Sequence, residues 1–253
     1  NGIENIKLSQ YSSYSSNSLE AISNIKVSIK RLSIFIKNAT LDELPLFKDL
    51  EELSIGEPAD NINFKGLSKL KKLYLVYTQN LSGFSNLHSL EEIVILNANK
   101  SFFSNDNFDN LKQLKTFSVY SSQLPEKLDF LNSFKLKSIE FHNIRTPFSI
   151  KHLSKLKDTL EILKIGKCPN IENVEETLPL LASLKWLELI DAVKLNDTSF
   201  IDTMPKLRVL LVLGKSFFKN GNLYSLKYLD HVSIDNKRHY NLKQEELPKL
   251  SVE

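Results

Sequence analysis

The chain has 253 residues, of which 42% are hydrophobic and 25% are charged, and these fractions are typical of a folded globular protein rather than a disordered or collagen-like one. Its 33 Lys and Arg residues against 30 Asp and Glu residues leave a net charge of +3, which does not indicate a binder of nucleic acid or acidic lipid. The single cysteine, Cys168, excludes an internal disulfide or a cysteine-based zinc site, and no run of about 18 apolar residues predicts a membrane-spanning helix.

The start of the sequence differs from that of an unprocessed protein. It begins with Asn1 and Gly2, and its single methionine is Met204. An initiating methionine in front of asparagine would normally be retained, so we expect the chain to be a processed or trimmed piece.

One apolar pattern, L-x-x-L-x-L, recurs along the whole chain. Its eleven copies begin at residues 3, 29, 50, 70, 90, 114, 136, 160, 184, 207 and 229, at intervals of 20 to 26 residues. Leucines that alternate with variable residues predict a short strand with one apolar face in each copy. Since one such strand cannot bury its apolar face alone, we expect neighbouring copies to stack around a continuous core.

A second apolar series precedes most of these strands, as in Phe64, Leu67 and Leu70. Its spacing of three predicts a short helix or 3₁₀ turn that covers the other side of the core. Near the start, Ser18 precedes the apolar residues Leu19, Ile22 and Ile25, a pattern that predicts a short amphipathic helix. Near the end, we expect the charged residues 237–246 to form a polar lid and residues 247–252 to form the strand of a truncated twelfth copy.

The repeat resembles the leucine-rich repeat family, whose unit carries L-x-x-L-x-L within 20–29 residues. This resemblance implies an α/β fold: a curved, horseshoe-shaped leucine-rich repeat solenoid, with a parallel β-sheet on the concave face and short helices or 3₁₀ turns on the convex face. Because no linker or change of composition interrupts the pattern, we predict a single domain over residues 1–253.

The ninth position of each copy departs from the family. Members usually carry Asn or Cys there, and that side chain satisfies backbone groups at the turn after the strand; in this sequence only Cys168 matches. We therefore expect the other turns to pair their backbone groups in a different way. We expect Cys168 itself to be a small buried side chain and not a nucleophile.

Two insertions repeat one another in sequence, around Phe102-Phe103 and around Phe217-Phe218. Each could place one ring inward and leave the other exposed. We favour a core role for these phenylalanines, because Phe commonly fills the space under longer turns.

Catalytic and cofactor-binding motifs are absent from the sequence. There is no Gly-x-Gly-x-x-Gly, no Gly-x-x-x-x-Gly-Lys, no Gly-x-Ser-x-Gly and no His-Glu-x-x-His. Of the five histidines, His142 and His231 lie on predicted strands but four copies apart, too distant to share a metal ion. We therefore predict no catalytic residue, no metal site, no cofactor and no enzymatic activity.

The strand positions between the repeat leucines define what we call the variable face, which the resemblance places on the concave side. Apolar and aromatic residues cluster there in a first apolar group, made of Tyr74, Val76, Val94, Leu96 and Tyr120. A second apolar group consists of Trp186, Ile190, Val209, Leu211 and Leu213. Between the two groups lies a charged strip made of Glu140, His142, Lys164 and Glu188.

Exposed apolar residues rimmed by charge often mark interaction sites, and Trp and Tyr are enriched at binding hot spots. We therefore predict that the variable face binds another protein. Two alternatives stay open at this point: the side chains pack against one another across adjacent strands and only stabilise the sheet, or the face contacts a second copy in an oligomer.

The sequence thus predicts a non-catalytic protein–protein recognition module. The resemblance points the same way, since leucine-rich repeat domains commonly bind protein ligands. An alternative is the targeting or substrate-recognition arm of a larger enzyme or effector whose catalytic domain lies outside this chain. Nucleic-acid binding is disfavoured because charges of both signs alternate on the variable face, and membrane insertion is not expected.

Overall fold

The computed structural model describes residues 4–12, 14–24, 28–103 and 105–249. These residues form two compact units, a first unit over Asn1–Ser122 and a second unit over Gln123–Glu253.

The first unit is built on parallel strands. Within its described residues the strands are β1 (Asn5–Ser9), β2 (Arg31–Phe35), β3 (Glu52–Ile55), β4 (Ile62–Asn63), β5 (Lys72–Val76), β6 (Leu81–Ser82), β7 (Glu92–Leu96) and β8 (Thr116–Tyr120). The longer strands form one parallel sheet in the order β1-β2-β3-β5-β7-β8, and β4 pairs with β6 in a separate two-stranded sheet. The helices are α1 (Glu20–Ser23), α2 (Asn105–Phe108) and short 3₁₀ turns at Gln10–Ser12, Leu44–Leu46, Phe84–Asn86 and Lys100–Phe103.

The repeat leucines form the core of the first unit. Leu53 lies opposite Leu73 in the sheet, Leu73 lies opposite Ile93, and all three are at most 2% exposed. Burial of each such side chain contributes about 1.5–3 kcal/mol. The predicted second apolar series covers the other side of this core, as shown by Phe64 and Phe84, whose buried rings meet edge to face at 5.5 Å.

The second unit repeats this arrangement. Its described strands are β9 (Ser138–His142), β10 (Phe148–Ser149), β11 (Ile162–Gly166), β12 (Ile171–Glu172), β13 (Trp186–Ile190), β14 (Lys194–Leu195), β15 (Val209–Leu213), β16 (Phe217–Phe218) and β17 (His231–Ile234). The longer strands pair in parallel in the order β9-β11-β13-β15-β17, while β10 pairs with β12 and β14 with β16. The helices are α3 (Val174–Thr177) and 3₁₀ turns at Asp129–Ser133, Lys151–Leu156, Leu178–Leu180, Ser199–Thr203, Tyr224–Tyr228 and Gln244–Glu246.

The structure confirms the eleven predicted strands. Each long strand begins two residues after the first residue of its copy, and the predicted helix after Ser18 is α1, with Leu19 and Ile22 buried. Several details of the predictions fall outside the described residues: the start of the first copy at Ile3, the helix residue Ile25, and Leu250 and Val252 of the truncated twelfth copy. The single domain over residues 1–253 stays a prediction.

Serine hydroxyls replace the missing asparagines at two of the turns. In the first unit the Ser122 hydroxyl accepts a hydrogen bond from the Ala98 N–H at 2.9 Å and donates one to the Tyr120 carbonyl at 2.9 Å. In the second unit the Ser216 hydroxyl accepts hydrogen bonds from the N–H groups of Ala192 (2.9 Å) and Val193 (3.2 Å). Each hydroxyl thus accepts hydrogen bonds from backbone N–H groups of the preceding repeat, which matters because buried backbone groups need a hydrogen-bond partner.

Cys168 serves the same purpose at its own turn. Its thiol is fully buried and donates weak hydrogen bonds to the carbonyls of Gly166 (3.2 Å) and Phe141 (3.6 Å). Burial raises the pKa of this thiol to about 11, so at neutral pH it stays protonated and is a poor nucleophile. The prediction that Cys168 is a small buried side chain is confirmed.

The buried hydroxyl of Ser216 gives a testable expectation. Ser216→Ala should lower the free energy of unfolding by about 1–3 kcal/mol, because two partly buried N–H groups lose their acceptor. Urea denaturation followed by circular dichroism measures this difference, and the exposed Ser68 provides the control variant Ser68→Ala, for which we expect no change. Equal stabilities of the two variants would contradict the assigned role of Ser216.

The predicted polar lid of residues 237–246 covers the last strand of the second unit. The side-chain amide of Gln244 accepts a hydrogen bond from the Ile234 N–H at 2.5 Å and donates one to the Val232 carbonyl at 2.8 Å. The Val232 N–H donates to the Pro248 carbonyl at 2.9 Å. The Val232 N–H, the Val232 carbonyl and the Ile234 N–H on this side of β17 are therefore paired, which leaves the edge less open to another chain.

Candidate interaction surface

The first apolar group lies on the variable face of the first unit, on strands β5, β7 and β8. Tyr74 is directly opposite Val94, and Leu96 is directly opposite Tyr120. These four side chains are half-buried, whereas their strand neighbours on the other face are core residues. Val76 differs from the rest, because it is only 7% exposed and offers little surface to a partner.

A depression of about 270 Å³ adjoins this group on the same face. Tyr74 and Val94 line one part of it, and the small residues Ser33 and Ser54 line its floor. Charged residues at the start of the strands form its rim, where Arg31 pairs with Glu52 at 3.2 Å and Lys72 with Glu92 at 3.7 Å. The surface therefore combines the apolar side chains of Tyr74 and Val94 with paired charges of both signs.

A regular series of ion pairs runs beside this rim. Each member joins the same position of two successive repeats, in the pairs Glu4–Lys30 (2.7 Å), Glu51–Lys71 (2.7 Å) and Glu91–Lys115 (2.6 Å). The hydrogen bond from Lys71 lowers the pKa of Glu51, and that from Lys115 lowers the pKa of Glu91. Since these groups are exposed, solvent screens the pairs, and they contribute little to stability.

The charged strip lies on β9, β11 and β13 of the second unit. Glu140 is opposite Lys164, and Lys164 is opposite Glu188, so the signs alternate across the strands. The His142 ring lies against Gly166, where a Cβ atom would meet its Nδ1 atom, so a larger residue at position 166 would displace the ring. All four side chains of the strip are half-buried, and the strip is polar but not strongly charged in either sense.

The second apolar group lies on β13 and β15 of the second unit. Trp186 is opposite Val209, and Ile190 is opposite Leu213, with Leu211 opposite Glu188 of the charged strip. All five members are half-buried. The Lys164 ammonium lies over the Trp186 ring, 5.7 Å from its centroid, a distance at which cation–π attraction operates.

The indole of Trp186 carries an unusual polar atom. Its Nε1–H is buried and has no hydrogen-bond partner among the residues that the structure describes. An unpaired buried donor is costly, so it marks a place where a local rearrangement that supplies an acceptor would be favourable.

The phenylalanines of the two insertions are placed differently. Phe102 and Phe103 are both 3% exposed, so both rings of the first insertion are core residues. In the second insertion Phe218 is fully buried, while Phe217 is half-buried. The core role that we favoured is therefore confirmed for three rings, and the alternative of one outward ring applies to Phe217.

This architecture is similar to that of several proteins of known structure. No protein-family model matches the sequence, and no curated protein matches it. Solved structures do match: an internalin (inlF) from Listeria monocytogenes aligns with a TM-score of 0.57 and 18% identity, covering 87% of this chain and 65% of that one. Mouse RP105, solved in complex with MD-1, aligns with a TM-score of 0.55 and 16% identity over 87% of this chain and 41% of that one. A leucine-rich repeat protein of Leptospira interrogans aligns with a TM-score of 0.55 and 14% identity over 92% and 72% of the two chains.

The chain has a leucine-rich repeat fold. The resemblance inferred from the spacing of the leucines is confirmed by these alignments and by the parallel sheets. The chain spans less than two thirds of the internalin chain and about two fifths of the RP105 chain, at 65% and 41%.

The described residues were also compared with the requirements of a metal site and of a membrane-spanning helix. In the described part of the chain, no group of three or more His, Cys, Asp and Glu side chains is arranged to hold a metal ion. No helix among the described residues is both long enough and apolar enough to span a bilayer.

Sequence analysis missed one feature of the leucine-rich repeats, a group of cations around Phe217 in the second unit. They line a cavity of about 530 Å³, and we call the side chains of Lys194, Lys215, Lys237 and Arg238 the basic cluster. A signal was present, since Lys215 and Lys237 occupy the ninth position of two successive copies. Lys194 comes from β14 and Arg238 from the loop after β17, in two different repeats, and only the fold brings them to the same ring.

Proposed function

We propose that the chain is a non-catalytic recognition module that binds another protein through the variable face of its leucine-rich repeats. The observation that carries the proposal is the first apolar group. Tyr74, Leu96 and Tyr120 belong to three strands that are adjacent in the sheet, and they leave part of their apolar surface exposed on the face opposite the core. Contiguous exposed apolar surface of this kind favours a binding role.

The backbone supports this role because it is held rigid. Strand β7 at the centre of the first apolar group is paired on both sides, by β5 and by β8. The other side of the same strand is packed in the core, where Ile93 and Ile95 are fully buried. A preformed surface loses little conformational entropy on association, which favours affinity.

The chemical character of the face favours a protein partner. It presents tyrosines beside aliphatic side chains, with charges of both signs at the rim, which resembles the apolar centre and polar rim of protein–protein interfaces. Mouse RP105, which shares the fold, was solved in complex with another protein, MD-1. The mixed signs on this face disfavour nucleic acid, which requires an excess of cations.

The second apolar group and the charged strip extend the proposal to the second unit. Trp186, Ile190, Leu211 and Leu213 offer a second apolar patch, and Glu140, His142, Lys164 and Glu188 offer hydrogen-bonding groups beside it. The unpaired Nε1–H of Trp186 would gain an acceptor if a bound partner turned the ring.

Site-specific photo-crosslinking tests the proposal. A benzophenone amino acid placed at Leu96 should crosslink a protein from a lysate of cells that naturally contain this chain. The same residue placed at Leu46, which is 62% exposed on a 3₁₀ turn of the same unit and not on the variable face, should not. Mass spectrometry of the products identifies the partner. Products from Leu46 alone, or identical products from both positions, would contradict the proposed face.

A further inference from the structure

The basic cluster of the second unit has a geometry that the proposed function does not use. Phe217 lies at its centre, with Lys194 supplied by the preceding repeat and Lys237 by the following one. The two ammonium groups lie over the ring, 5.7 Å and 6.0 Å from its centroid. Gly214, Lys215, Arg238 and His239 complete the lining of the cavity of about 530 Å³, in which the described residues include no carboxylate.

The nearby carboxylates are engaged elsewhere. The Asp191 carboxylate accepts a hydrogen bond from the Lys215 backbone N–H at 2.9 Å, and the Asp235 carboxylate accepts one from the Gly214 N–H at 2.6 Å. Asp235 also lies 3.9 Å from Lys237. Among the described residues, Lys194, Lys215 and Arg238 make no ion pair, so their charges are available to a ligand.

The turn that carries Lys215 is fixed in position. Gly214 has a φ of +68°, and a Cβ atom on it would collide with the Asp191 carboxylate, so only glycine fits there. Its two flanking carboxylates hold the turn through the backbone hydrogen bonds described above. The cluster therefore presents its cations from an ordered backbone, which lowers the entropy lost on binding.

We propose that the basic cluster binds an acidic segment of a protein partner, a proposal that rests on the protein-recognition function. Carboxylates of the segment pair with Lys194, Lys215 and Arg238, and an apolar part of the same segment contacts the exposed side of Phe217. The cavity lies within the range of sizes that takes a few side chains, and its uncompensated cations favour aspartate and glutamate over neutral peptides.

The observations favour an acidic peptide over nucleic acid. Nucleic-acid sites for single strands use aromatic rings as open stacking platforms, whereas two lysine ammonium groups already lie over Phe217. Asp191 and Asp235 flank the cluster, so a phosphate backbone, which is negative at every unit, meets more repulsion there than a segment with a few carboxylates. The acidic peptide needs only a few carboxylates at the three available cations.

Fluorescence anisotropy with the whole chain tests this inference. The probe is a fluorescein-labelled peptide of alternating glutamate and glycine, and the reference probe has glutamine in place of glutamate. We expect saturable binding of the glutamate peptide only, weakened at least about tenfold when salt rises from about 50 mM to about 300 mM. The triple variant Lys194→Gln, Lys215→Gln, Arg238→Gln should bind at least about tenfold more weakly than the unchanged chain.

A charge-matched variant separates a site from general attraction. Lys65, Lys112 and Lys155 are exposed, and their joint replacement by glutamine removes the same three charges elsewhere. We expect this control to bind the glutamate peptide within about twofold of the unchanged chain. Equal losses in both triple variants, or no saturable binding by the unchanged chain, would overturn the inference. So would tighter binding of an oligothymidylate or a sulfated oligosaccharide of equal charge.

The outcome is distinguishable from failure of the proposed function. The crosslink from Leu96 in the first unit does not depend on the basic cluster, which is entirely in the second unit. Crosslinking at Leu96 without peptide binding would overturn the acidic-segment inference alone. Peptide binding without any crosslink at Leu96 would retain the cluster and contradict the variable face as the binding surface.

Discussion

Phe218→Ala is expected to lower the free energy of unfolding by about 3–5 kcal/mol, the cost of truncating a fully buried phenylalanine. The Phe218 side chain has no exposed surface, and its ring packs against Phe200 with centroids 6.4 Å apart. Its backbone N–H donates a hydrogen bond to the Tyr240 hydroxyl at 2.9 Å, which the substitution leaves in place, so the loss reports on the ring. Urea denaturation monitored by circular dichroism measures the change.

Phe217→Ala is the matched control, one residue away in the same short strand. Its ring is half-buried and contacts lysine side chains rather than core residues, so we expect a loss of about 1 kcal/mol or less. In the first unit the equivalent pair should behave differently, since Phe102→Ala and Phe103→Ala both remove a buried ring. Similar losses from Phe217→Ala and Phe218→Ala would contradict the placement of these rings.

The contrast between the two insertions shows where sequence reasoning reaches its limit. Both contain Lys-Ser-Phe-Phe and then Asn after one further polar residue, which is Ser in the first and Lys in the second, and this difference does not predict which ring is buried. In the first unit Phe102 finds rings on several sides, with Phe84 and Phe108 each 5.6 Å from it between centroids. In the second unit the neighbours of Phe217 include Lys194, Lys237 and His239, which come from other repeats. Whether a ring is buried therefore depends on residues that are distant in sequence.

The strands could be predicted because their signal is local. A period of two in L-x-L fixes which side chains enter the core, and the repeat supplies the register with the next copy. The turn chemistry could not be predicted in the same way. The hydroxyl of Ser122 accepts a hydrogen bond from the N–H of Ala98, and that of Ser216 accepts one from the N–H of Ala192. Each N–H group lies 24 residues earlier in the chain, and Ser216 is one residue beyond the ninth position of its copy. The ninth position of this copy is therefore Lys215, whereas the side chain that forms the hydrogen bonds is that of Ser216.

At the candidate site, the sequence predicts the direction of the side chains but not their exposure. Alternation places Tyr74, Val94, Leu96 and Tyr120 on the variable face, and the structure has them half-buried there. Val76 follows the same alternation but is 7% exposed, because alternation gives the direction of a side chain and not the extent to which neighbours cover it. The basic cluster escaped prediction for a related reason, since Lys215, Lys237 and Arg238 lie in loops and Lys194 in the two-residue strand β14, where no period constrains the side chains.

Joint replacement of Tyr74, Leu96 and Tyr120 by serine is expected to weaken binding of the crosslinked partner at least about a hundredfold. Truncating an interface hot spot costs about 2 kcal/mol or more, and three adjacent losses remove the centre of the proposed surface. Because these side chains are only half-buried, the unfolding temperature should fall by no more than a few degrees. Affinity is measured by calorimetry with the purified partner, and unfolding by differential scanning calorimetry.

The control for this variant replaces three apolar side chains that lie outside the variable face. Leu46, Leu180 and Tyr228 are 62%, 52% and 85% exposed, and their joint replacement by serine should leave affinity for the partner unchanged. If the control lost affinity equally, binding would depend on exposed apolar surface in general and not on the variable face. If the Tyr74, Leu96 and Tyr120 variant instead lost its cooperative unfolding transition, these residues would be structural, and the alternative of cross-strand packing would replace partner binding.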